Sequence, residues 1–271
     1  MDARLQKRVQ RYGWDRAAAS YADLWGDQLR GVQDLLLQLA SPAAGQRVLD
    51  VACGTGVLAL ACARAVGPAG QVLGVDLSEG MVIAADGAAR AAGLGNVRFA
   101  RMDAESLALP PASFDLVVCG LGLMYCPDPI EALRQMRAVL KDQGRIAVSV
   151  WGPRARCAWA PELEIVDSEV KTEVCPLFFA LGATGRLRSA FAAAGFSEAT
   201  ECLLRTTLDY ESEADACDAA LIGGPVALAW GRFTPEVQHR VRERYGALFA
   251  DRVVDHRYRL PVEFVLMSAT A

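Results

Sequence analysis

The sequence predicts a doubly wound α/β fold, in which a mainly parallel sheet is covered by helices on both faces. Two patterns lead to this prediction. From residue 45 to residue 152, short β-rich runs alternate with longer helical ones, and the β-rich runs are apolar on both faces, as expected for strands between two helical layers. The chain has 271 residues, which is enough for one large core with additions. Right-handed crossovers should connect the parallel strands.

Residues 1–40 precede this alternation and form a predicted N-terminal helical cap with two helical patterns. In the second pattern Leu29, Val32 and Leu36 recur at a spacing that places them on one helix face. Pro42 and Gly45 then end the helical lead. We therefore expect the first strand shortly after Gly45.

The predicted core covers residues 41–152 and contains five strands with helices between them. The strands are expected at 48–52, 72–76, 97–100, 114–119 and 145–150, and the helices at 57–66, 79–92 and 130–140. A helix is predicted after the first, second and fourth strands, as in strand–helix–strand units. This order gives a compact sheet with its strands pointing the same way.

The remaining residues carry two long excursions, which we expect to form lids over a ligand mouth. Residues 153–210 are predicted as a lid segment followed by a helix at 184–194 and a sixth strand at 201–208, and residues 211–250 as a helical lid insertion with a break at 223–225. Residues 251–271 supply a last strand at 263–267 that completes the core sheet.

The composition restricts the classes of partner. A formal charge of -4 gives no broad cationic field, so nucleic acid is not an expected partner. No two of the eight cysteines are separated by only two residues and the chain has two histidines, so no metal site is predicted. The N-terminus lacks an apolar leader, and the apolar run at 219–231 is shorter than the about 20 residues of a membrane span. We expect a cytoplasmic protein without a membrane span; a homodimer remains open.

A glycine turn follows the first predicted strand and leads directly into a helix. Gly54 and Gly56 allow a ligand to approach the backbone closely, and the helix presents free N–H groups there. Asp76 ends the second strand, where a carboxylate can accept hydrogen bonds from both hydroxyls of a ribose. Together these features predict a nucleoside site, whereas each alone is also compatible with a ligand-free turn or a helix cap.

The same turn, from Gly54 to Ala59, also fits the glycine fingerprint of NAD-binding proteins. Other residues indicate a different ligand. They are Asp50 within the first strand, the run Gly74-Val75-Asp76-Leu77-Ser78-Glu79-Gly80-Met81, Asp103-Ala104-Glu105 after the third strand, and Phe114-Asp115 in the fourth. With Val48 to Gly56, they resemble the class I S-adenosylmethionine-dependent methyltransferases, and in particular the small-molecule branch that contains the ubiquinone/menaquinone C-methyltransferases. The resemblance covers about residues 45–152.

This resemblance implies a Rossmann-like sheet of seven strands with an antiparallel last strand, and S-adenosyl-L-methionine as the cofactor. It assigns cofactor binding to Tyr21, Asp50, Ala52, Gly54, Gly56, Asp76, Leu77, Met81, Asp103, Ala104, Cys119 and Gly120. In this assignment the two glycines pass beneath the methionine moiety and Asp50 organises their loop. Asp76 holds the ribose, and Leu77 and Met81 flank the adenine. The adenine edge meets Asp103 and Ala104, the loop from Cys119 closes over the sulfonium, and Tyr21 approaches the carboxylate end.

Methyl transfer from a sulfonium requires mainly alignment of the acceptor and exclusion of water, so a general base is optional. The candidate catalytic residues are His256, just ahead of the predicted last strand, and Tyr125, after the fourth strand. A lid position for His256 and a packing role for Tyr125 remain alternatives. Trp151, Trp159 and Trp230 suggest an apolar or aromatic acceptor, although they also suit a core.

The predicted function is therefore S-adenosylmethionine-dependent methyl transfer to a small, apolar or aromatic metabolite by direct in-line displacement. Two alternatives from other classes stay open at this point. One is an NAD-dependent oxidoreductase, which shares the glycine turn, and the other is a noncatalytic cofactor-binding protein, which would carry the same cofactor residues.

Overall fold

A single mixed sheet organises the computed structural model, which describes residues 2–170 and 178–271. Its strands are β1 (Arg47–Val51), β2 (Gln71–Asp76), β3 (Val97–Arg101), β4 (Phe114–Gly120), β5 (Leu140–Trp151), β6 (Ala199–Tyr210), β7 (Val253–Val254) and β8 (Arg257–Thr270). The main order is β3-β2-β1-β4-β5-β8-β6, and β7 pairs with β8. Strands β1 to β5 pair in parallel, while β8 is antiparallel to both β5 and β6. The predicted seven-stranded sheet with an antiparallel last strand is confirmed, and the two-residue β7 is an addition.

The described helices pack against the sheet and against one another. They are α1 (Ala3–Ala40), α2 (Val57–Val66), α3 (Glu79–Ala91), α4 (Pro129–Val139), α5 (Pro161–Asp167), α6 (Arg186–Ala193), α7 (Glu213–Leu221), α8 (Ala227–Trp230) and α9 (Pro235–Gly246). Side chains cap the core helices: Ser78 accepts the N–H of Met81 at the start of α3, and Asp128 accepts that of Glu131 in α4. No helix in the described part of the chain is both long and apolar enough to cross a membrane.

The N-terminal region differs from its prediction, because the two expected helical patterns form one helix, α1, of 38 residues. The first proline of the chain is Pro42, so nothing in this stretch removes a helical N–H donor, and isolated glycines cost only about 1 kcal/mol each. The C-terminal half of α1 buries Leu29, Val32 and Leu36 in the main core. This half anchors the helix, and the N-terminal half packs against α3 and the start of α8.

The N-terminal half of α1 crosses α3 at close range. A Cβ atom on Gly80 would lie 3.1 Å from the backbone oxygen of Asp15, so glycine permits this approach. The Asp15 carboxylate accepts hydrogen bonds from the Ser78 hydroxyl at 2.7 Å and from the Gly80 N–H at 3.0 Å. The start of α3 is thus tied to α1, which brings α1 beside the end of β2.

The last two long strands exceed their predicted lengths. They were expected at 201–208 and 263–267, and they form a ribbon in which pairing continues without interruption from Ala199↔Ala269 to Tyr210↔Tyr258. Cross-strand hydrogen bonding extends them beyond the apolar stretch that the sequence reveals. Asp255 and His256, both at positive φ, form the turn between β7 and β8.

The two predicted lid regions contain helices packed against each other. Helix α5 lies in the first region, and α7, α8 and α9 lie in the second, with the predicted break at 223–225 between α7 and α8. The Tyr245 hydroxyl of α9 donates to the backbone oxygen of Trp159, 3.3 Å away, which joins the two regions. The part of the first predicted lid at 171–177 lies outside the described residues.

Candidate functional site

A cleft opens at the carboxyl ends of β1 to β4, where the order of the parallel strands reverses and open α/β sheets bind ligands. Its empty space, including the part that is open to solvent, is about 750 Å³. The described residues that line it are Lys7, Gln10, Trp14, Tyr21, Ala52, Gly54, Asp76, Leu77, Met81, Met102, Asp103, Ala104, Glu105, Gly120, Leu121, Gly122, Tyr125, Cys126 and Pro127. Helix α1 closes one side of this cleft.

The turn after β1 places its two glycines in different surroundings. Gly54 has φ +53°, and a Cβ atom there would meet nothing within 4 Å, so this backbone faces open space in the cleft. Gly56 has φ +89°, and a Cβ atom would lie 3.0 Å from the Cβ of Ala85 and 3.2 Å from Phe99. Gly54 thus leaves room for a ligand, whereas Gly56 leaves room for packing at the start of α2.

Asp76 joins the turn after β1 to the turn after β2. Its Oδ2 accepts the N–H of Gly54 and its Oδ1 accepts the N–H of Ser78, both at 2.9 Å. Burial raises the pKa of Asp76 to about 6, although these N–H groups favour the ionised form. A carboxylate offers about four lone-pair positions, so both oxygens retain capacity to accept a ligand hydroxyl. Burial and the neighbouring Asp76 also raise the pKa of Tyr21 well above its usual range.

Asp50 and Cys119 lie behind the wall of the cleft. Asp50 is fully buried, and burial raises its pKa to about 8 against the opposing effect of the Ala59 N–H at the start of α2. Neither carboxylate oxygen of Asp50 makes a full hydrogen bond to a described residue. Burial likewise raises the pKa of the Cys119 thiol to about 12. Neither Asp50 nor Cys119 therefore presents its side chain to the cleft.

Lys7 clamps the loop that follows β3. Its ammonium group lies 2.7 Å from Asp103 Oδ2 and 2.7 Å from Glu105 Oε2. Partial burial opposes the charge of Lys7, but the hydrogen bonds and negative charges of the two acids outweigh it and raise its pKa. The ion pair between Lys7 and Asp103 joins residues 96 positions apart and holds the first turns of α1 over the cleft.

A second, smaller pocket adjoins the cleft and is lined mainly by aromatic rings. Its empty space is about 330 Å³, and its described lining residues are Trp14, Tyr21, Trp25, Leu29, Leu121, Tyr125, Trp151, Trp159, Phe178, Gly224 and Pro225. We call it the aromatic pocket. It shares Trp14, Tyr21, Leu121 and Tyr125 with the cleft. The Tyr125 ring meets those of Trp14 and Phe178 edge to face, at centroid distances of 5.1 and 5.3 Å.

Most of the predicted cofactor residues meet at the cleft, but not all. Tyr21, Ala52, Gly54, Asp76, Leu77, Met81, Asp103, Ala104 and Gly120 line it, as does the candidate catalytic residue Tyr125. Asp50, Gly56 and Cys119 do not line it. His256 is exposed in the turn between β7 and β8 and lines neither the cleft nor the aromatic pocket. Its role as a base stays a prediction that this position does not support.

Sequence reasoning predicted Tyr21 at the cleft but missed Lys7 and Gln10, which the start of α1 also supplies. Lys7, Gln10, Trp14 and Tyr21 recur three, four and seven positions apart, which places them along one side of the helix. This spacing is a usable signal of a shared helix face, although the sequence-based site contained only Tyr21 of the four. The polar pair Lys7 and Gln10 reaches the cleft because α1 is one uninterrupted helix.

The chemistry of the cleft fits S-adenosyl-L-methionine. Asp76 offers a buried carboxylate for ribose hydroxyls, Leu77 and Met81 offer apolar surface for an adenine, and the space at Gly54 admits a methionine chain. Among the described lining residues, three acids face the single cation Lys7. This excess of negative charge suits a cationic sulfonium and disfavours the pyrophosphate of a dinucleotide.

Comparisons with known sequences agree with this chemistry. Residues 48–144 match the family model described as a methyltransferase domain. The chain is 34% identical over 204 residues to nocamycin O-methyltransferase of Saccharothrix syringae, which covers 69% of this chain and 72% of that protein. It is also 34% identical over 146 residues to aklanonic acid methyltransferase DauC of Streptomyces sp. (strain C5), covering 54% of this chain and 66% of that protein.

The chain is further similar to a quinone-modifying enzyme and to a solved structure. It is 41% identical over 137 residues to the ubiquinone/menaquinone biosynthesis C-methyltransferase UbiE of Pseudomonas putida, covering 48% of this chain and 53% of that protein. The chain thus spans about half to two thirds of the length of UbiE and DauC. The structure of a putative methyltransferase from Bacillus halodurans superimposes with a TM-score of 0.64 at 21% identity, covering 88% of this chain and 97% of that one. That likeness shows the shared fold.

Proposed function

Because this chain belongs to the class I S-adenosylmethionine-dependent methyltransferases, we propose that it transfers a methyl group to a small apolar or aromatic acceptor held in the aromatic pocket. One observation carries the proposal: the aromatic pocket and the cleft share four lining residues, among them Trp14 and Tyr125. An acceptor in the aromatic pocket is therefore next to a cofactor in the cleft. Trp25, Trp151 and Trp159 give the pocket surfaces suited to a flat ring.

The cofactor supplies, when bound, a methyl group on a positively charged sulfur that is activated for displacement. The protein contributes position and enclosure. Asp76 holds the ribose, Gly54 leaves the backbone free for the methionine chain, and Lys7 keeps the start of α1 closed over the cleft. Trp14 and Tyr125 line the junction of the two pockets and exclude water from it. Alignment of this kind can supply about 7 to 11 kcal/mol of barrier lowering without a metal or a covalent intermediate.

The aromatic pocket offers little proton-transfer chemistry. Of its described lining residues, only Tyr21 and Tyr125 carry a titratable group. The proposed acceptor atom is nucleophilic by itself at neutral pH, as an ionised hydroxyl, a carbanion stabilised by conjugation, or an atom with an available lone pair. Tyr125, at the junction, is proposed to orient this atom in line with the carbon–sulfur bond.

The alternative of an NAD-dependent oxidoreductase is not favoured, since the cleft is acidic and the named relatives are methyltransferases. Titration calorimetry against S-adenosylmethionine, S-adenosylhomocysteine and NAD distinguishes these cofactors directly. We expect binding of the first two and none of NAD; binding of NAD alone would overturn the proposal. A protein that binds the cofactor and methylates nothing in a broad acceptor panel would be a noncatalytic binder.

The acceptor class is tested by transfer of a labelled methyl group to matched phenolic and aliphatic acceptors in wild type and Phe178→Leu. The Phe178 ring lies against Tyr125 and Trp159, with centroids 5.3 Å away in each case. Its loss should raise KM for an aromatic acceptor about two- to tenfold, the size of one aromatic pair, and leave cofactor affinity unchanged. Phe191→Leu is the control, because Phe191 is equally buried but lines neither pocket. Equal effects of both substitutions on KM would refute the assignment.

A further inference from the structure

Strand β6 is an edge strand of unusual length. It has twelve residues and pairs on one side with β8 along its whole length. At the opposite edge of the sheet, β3 has five residues, of which Arg98 and Arg101 are charged. Short and charged edge strands discourage pairing with another chain, whereas long ones with β-branched and apolar residues invite it. The open part of β6 also carries two charges, but they are opposite in sign, Glu201 and Arg205, so its edge is less protected against pairing than that of β3.

The hydrogen bonds at its two ends show which β6 residues point away from β8. The side chain of Gln28 donates to the backbone oxygen of Asp209 and accepts its N–H, at 2.8 and 2.7 Å. Arg188 donates to the backbone oxygen of Ala199 at 2.7 Å. In an antiparallel pair, the backbone N–H and C=O groups of successive residues point alternately toward and away from the partner strand. Pairing of β6 with β8 has no register shift between Ala199 and Asp209, so every odd-numbered residue of β6 points these groups away from β8.

The two ends of the edge are thus covered by side chains, and the middle is open. The outward N–H and C=O groups at Glu201, Leu203, Arg205 and Thr207 have no partner among the described residues. Within this open stretch the apolar side chain of Leu203 is 50% exposed. This open stretch, residues 201–207, is about as long as an average strand.

We propose that a second copy of this chain pairs with this stretch, so that two β6 strands join antiparallel about a twofold axis at Leu203. In this register Leu203 faces Leu203 of the second copy, and Glu201 faces Arg205 of the second copy at both ends. Each of these residues is outward-pointing, so facing residues exchange backbone hydrogen bonds. On the other side of the sheet Cys202 faces Leu204, a second apolar pair.

The charges select this register over its neighbours. A twofold axis at Leu204 would place Leu203 opposite Arg205, and an axis at Arg205 would place this arginine opposite itself. Only the axis at Leu203 sets every charged residue of the stretch against one of opposite sign. Such self-complementarity is the requirement of a twofold interface between identical chains.

Arg205 is already held in a suitable position. Its Nε donates to Glu263 of β8 at 2.7 Å, while its side chain remains 69% exposed. The two terminal nitrogens of its guanidinium are left to bind Glu201 of the second copy. Arg205 would then lie between two carboxylates, and the two sheets would become one continuous sheet.

Sedimentation velocity of the full chain with charge-reversed variants tests the proposal. Wild type should be a dimer at micromolar concentration. Glu201→Arg and Arg205→Glu should each weaken the dimer at least about tenfold, because the twofold axis repeats every like-charge contact. An equimolar mixture of these two variants should form a heterodimer, since each arginine then faces a glutamate. The double variant E201R/R205E should also dimerise.

Backbone pairing is tested separately. Leu203→Pro removes one outward N–H that the monomer does not use, so it should abolish dimerisation, while the matched Leu203→Val keeps that N–H and the dimer. Cofactor affinity by calorimetry verifies that each variant is folded. A monomeric wild type, or folded variants that all keep the wild-type dimer, would overturn the proposal; neither result bears on methyl transfer.

Discussion

Replacement of Asp76 by asparagine should separate cofactor binding from folding. The carboxylate uses both oxygens to accept the N–H groups of Gly54 and Ser78, and it is proposed to accept ribose hydroxyls as well. An amide of the same size has one acceptor oxygen, so Asp76→Asn loses at least one hydrogen bond to a charged acceptor. Such a bond is worth about 1.5 to 3 kcal/mol, which corresponds to a 10- to 150-fold weaker binding constant.

Titration calorimetry with S-adenosylhomocysteine measures this loss. Glu79→Gln is the matched control, since Glu79 is a carboxylate three positions later that does not line the cleft. Thermal unfolding without ligand reports how much the turn itself is weakened. If folded Asp76→Asn bound S-adenosylhomocysteine as tightly as wild type, the ribose assignment would be wrong.

The same residue predicts a pH dependence. Burial raises the pKa of Asp76 to about 6 in the free protein, and the form that accepts ribose hydroxyls at both oxygens is the ionised one. Affinity should therefore be constant above pH 7 and fall as the pH drops through 6, approaching tenfold per pH unit below it. Asp76→Asn should lack this decline. Identical profiles for the two proteins would assign the titration to another group.

Two further residues give independent predictions. Lys7→Met removes the ion pairs with Asp103 and Glu105. Cofactor dissociation, measured by stopped-flow fluorescence, should become about fivefold faster, because a partly exposed ion pair contributes about 1 kcal/mol. The control Arg8→Met, at an exposed neighbouring position, should leave the dissociation rate unchanged. Glu162 is buried without a hydrogen-bond partner among the described residues, and burial raises its pKa to about 8. The folded state therefore keeps this proton at pH values where the unfolded state has lost it. The free energy of unfolding of the wild type should fall by a few kcal/mol as the pH rises from about 4.5 to 8. In Glu162→Gln the free energy of unfolding, measured by chemical denaturation, should change less over this pH range.

Local sequence patterns were sufficient to predict most helices and strands of the core. The helix expected at 57–66 is α2. The strand before the glycine turn differs from β1 by one residue at each end, and the strand that ends at Asp76 differs from β2 by one residue at its start. Apolar runs, glycines and caps are properties of neighbouring residues, so they can be recognised without the fold. The continuous helix α1 was divided in the prediction, because its two halves bury different faces against different partners.

Local sequence patterns could not predict contacts between residues that are far apart along the chain. Lys7 meets Asp103 across 96 positions, and no periodicity in either segment indicates the other. The sequence also presents Gly54 and Gly56 as equivalent, whereas the packing of Ala85 and Phe99 against Gly56 alone makes them different.

The amino-acid sequence by itself determined the fold class, the glycine turn and the acid at the end of β2, because each depends on residues that are close along the chain. Tertiary structure alone decided that α1 forms a wall of the cleft, that aromatic rings from separate segments enclose the aromatic pocket, and that His256 lies away from both. Burial and charge at these places are sums over residues that only folding brings together. The proposed acceptor chemistry therefore depends on residues that folding brings together around the aromatic pocket, and no single segment of the sequence reveals it.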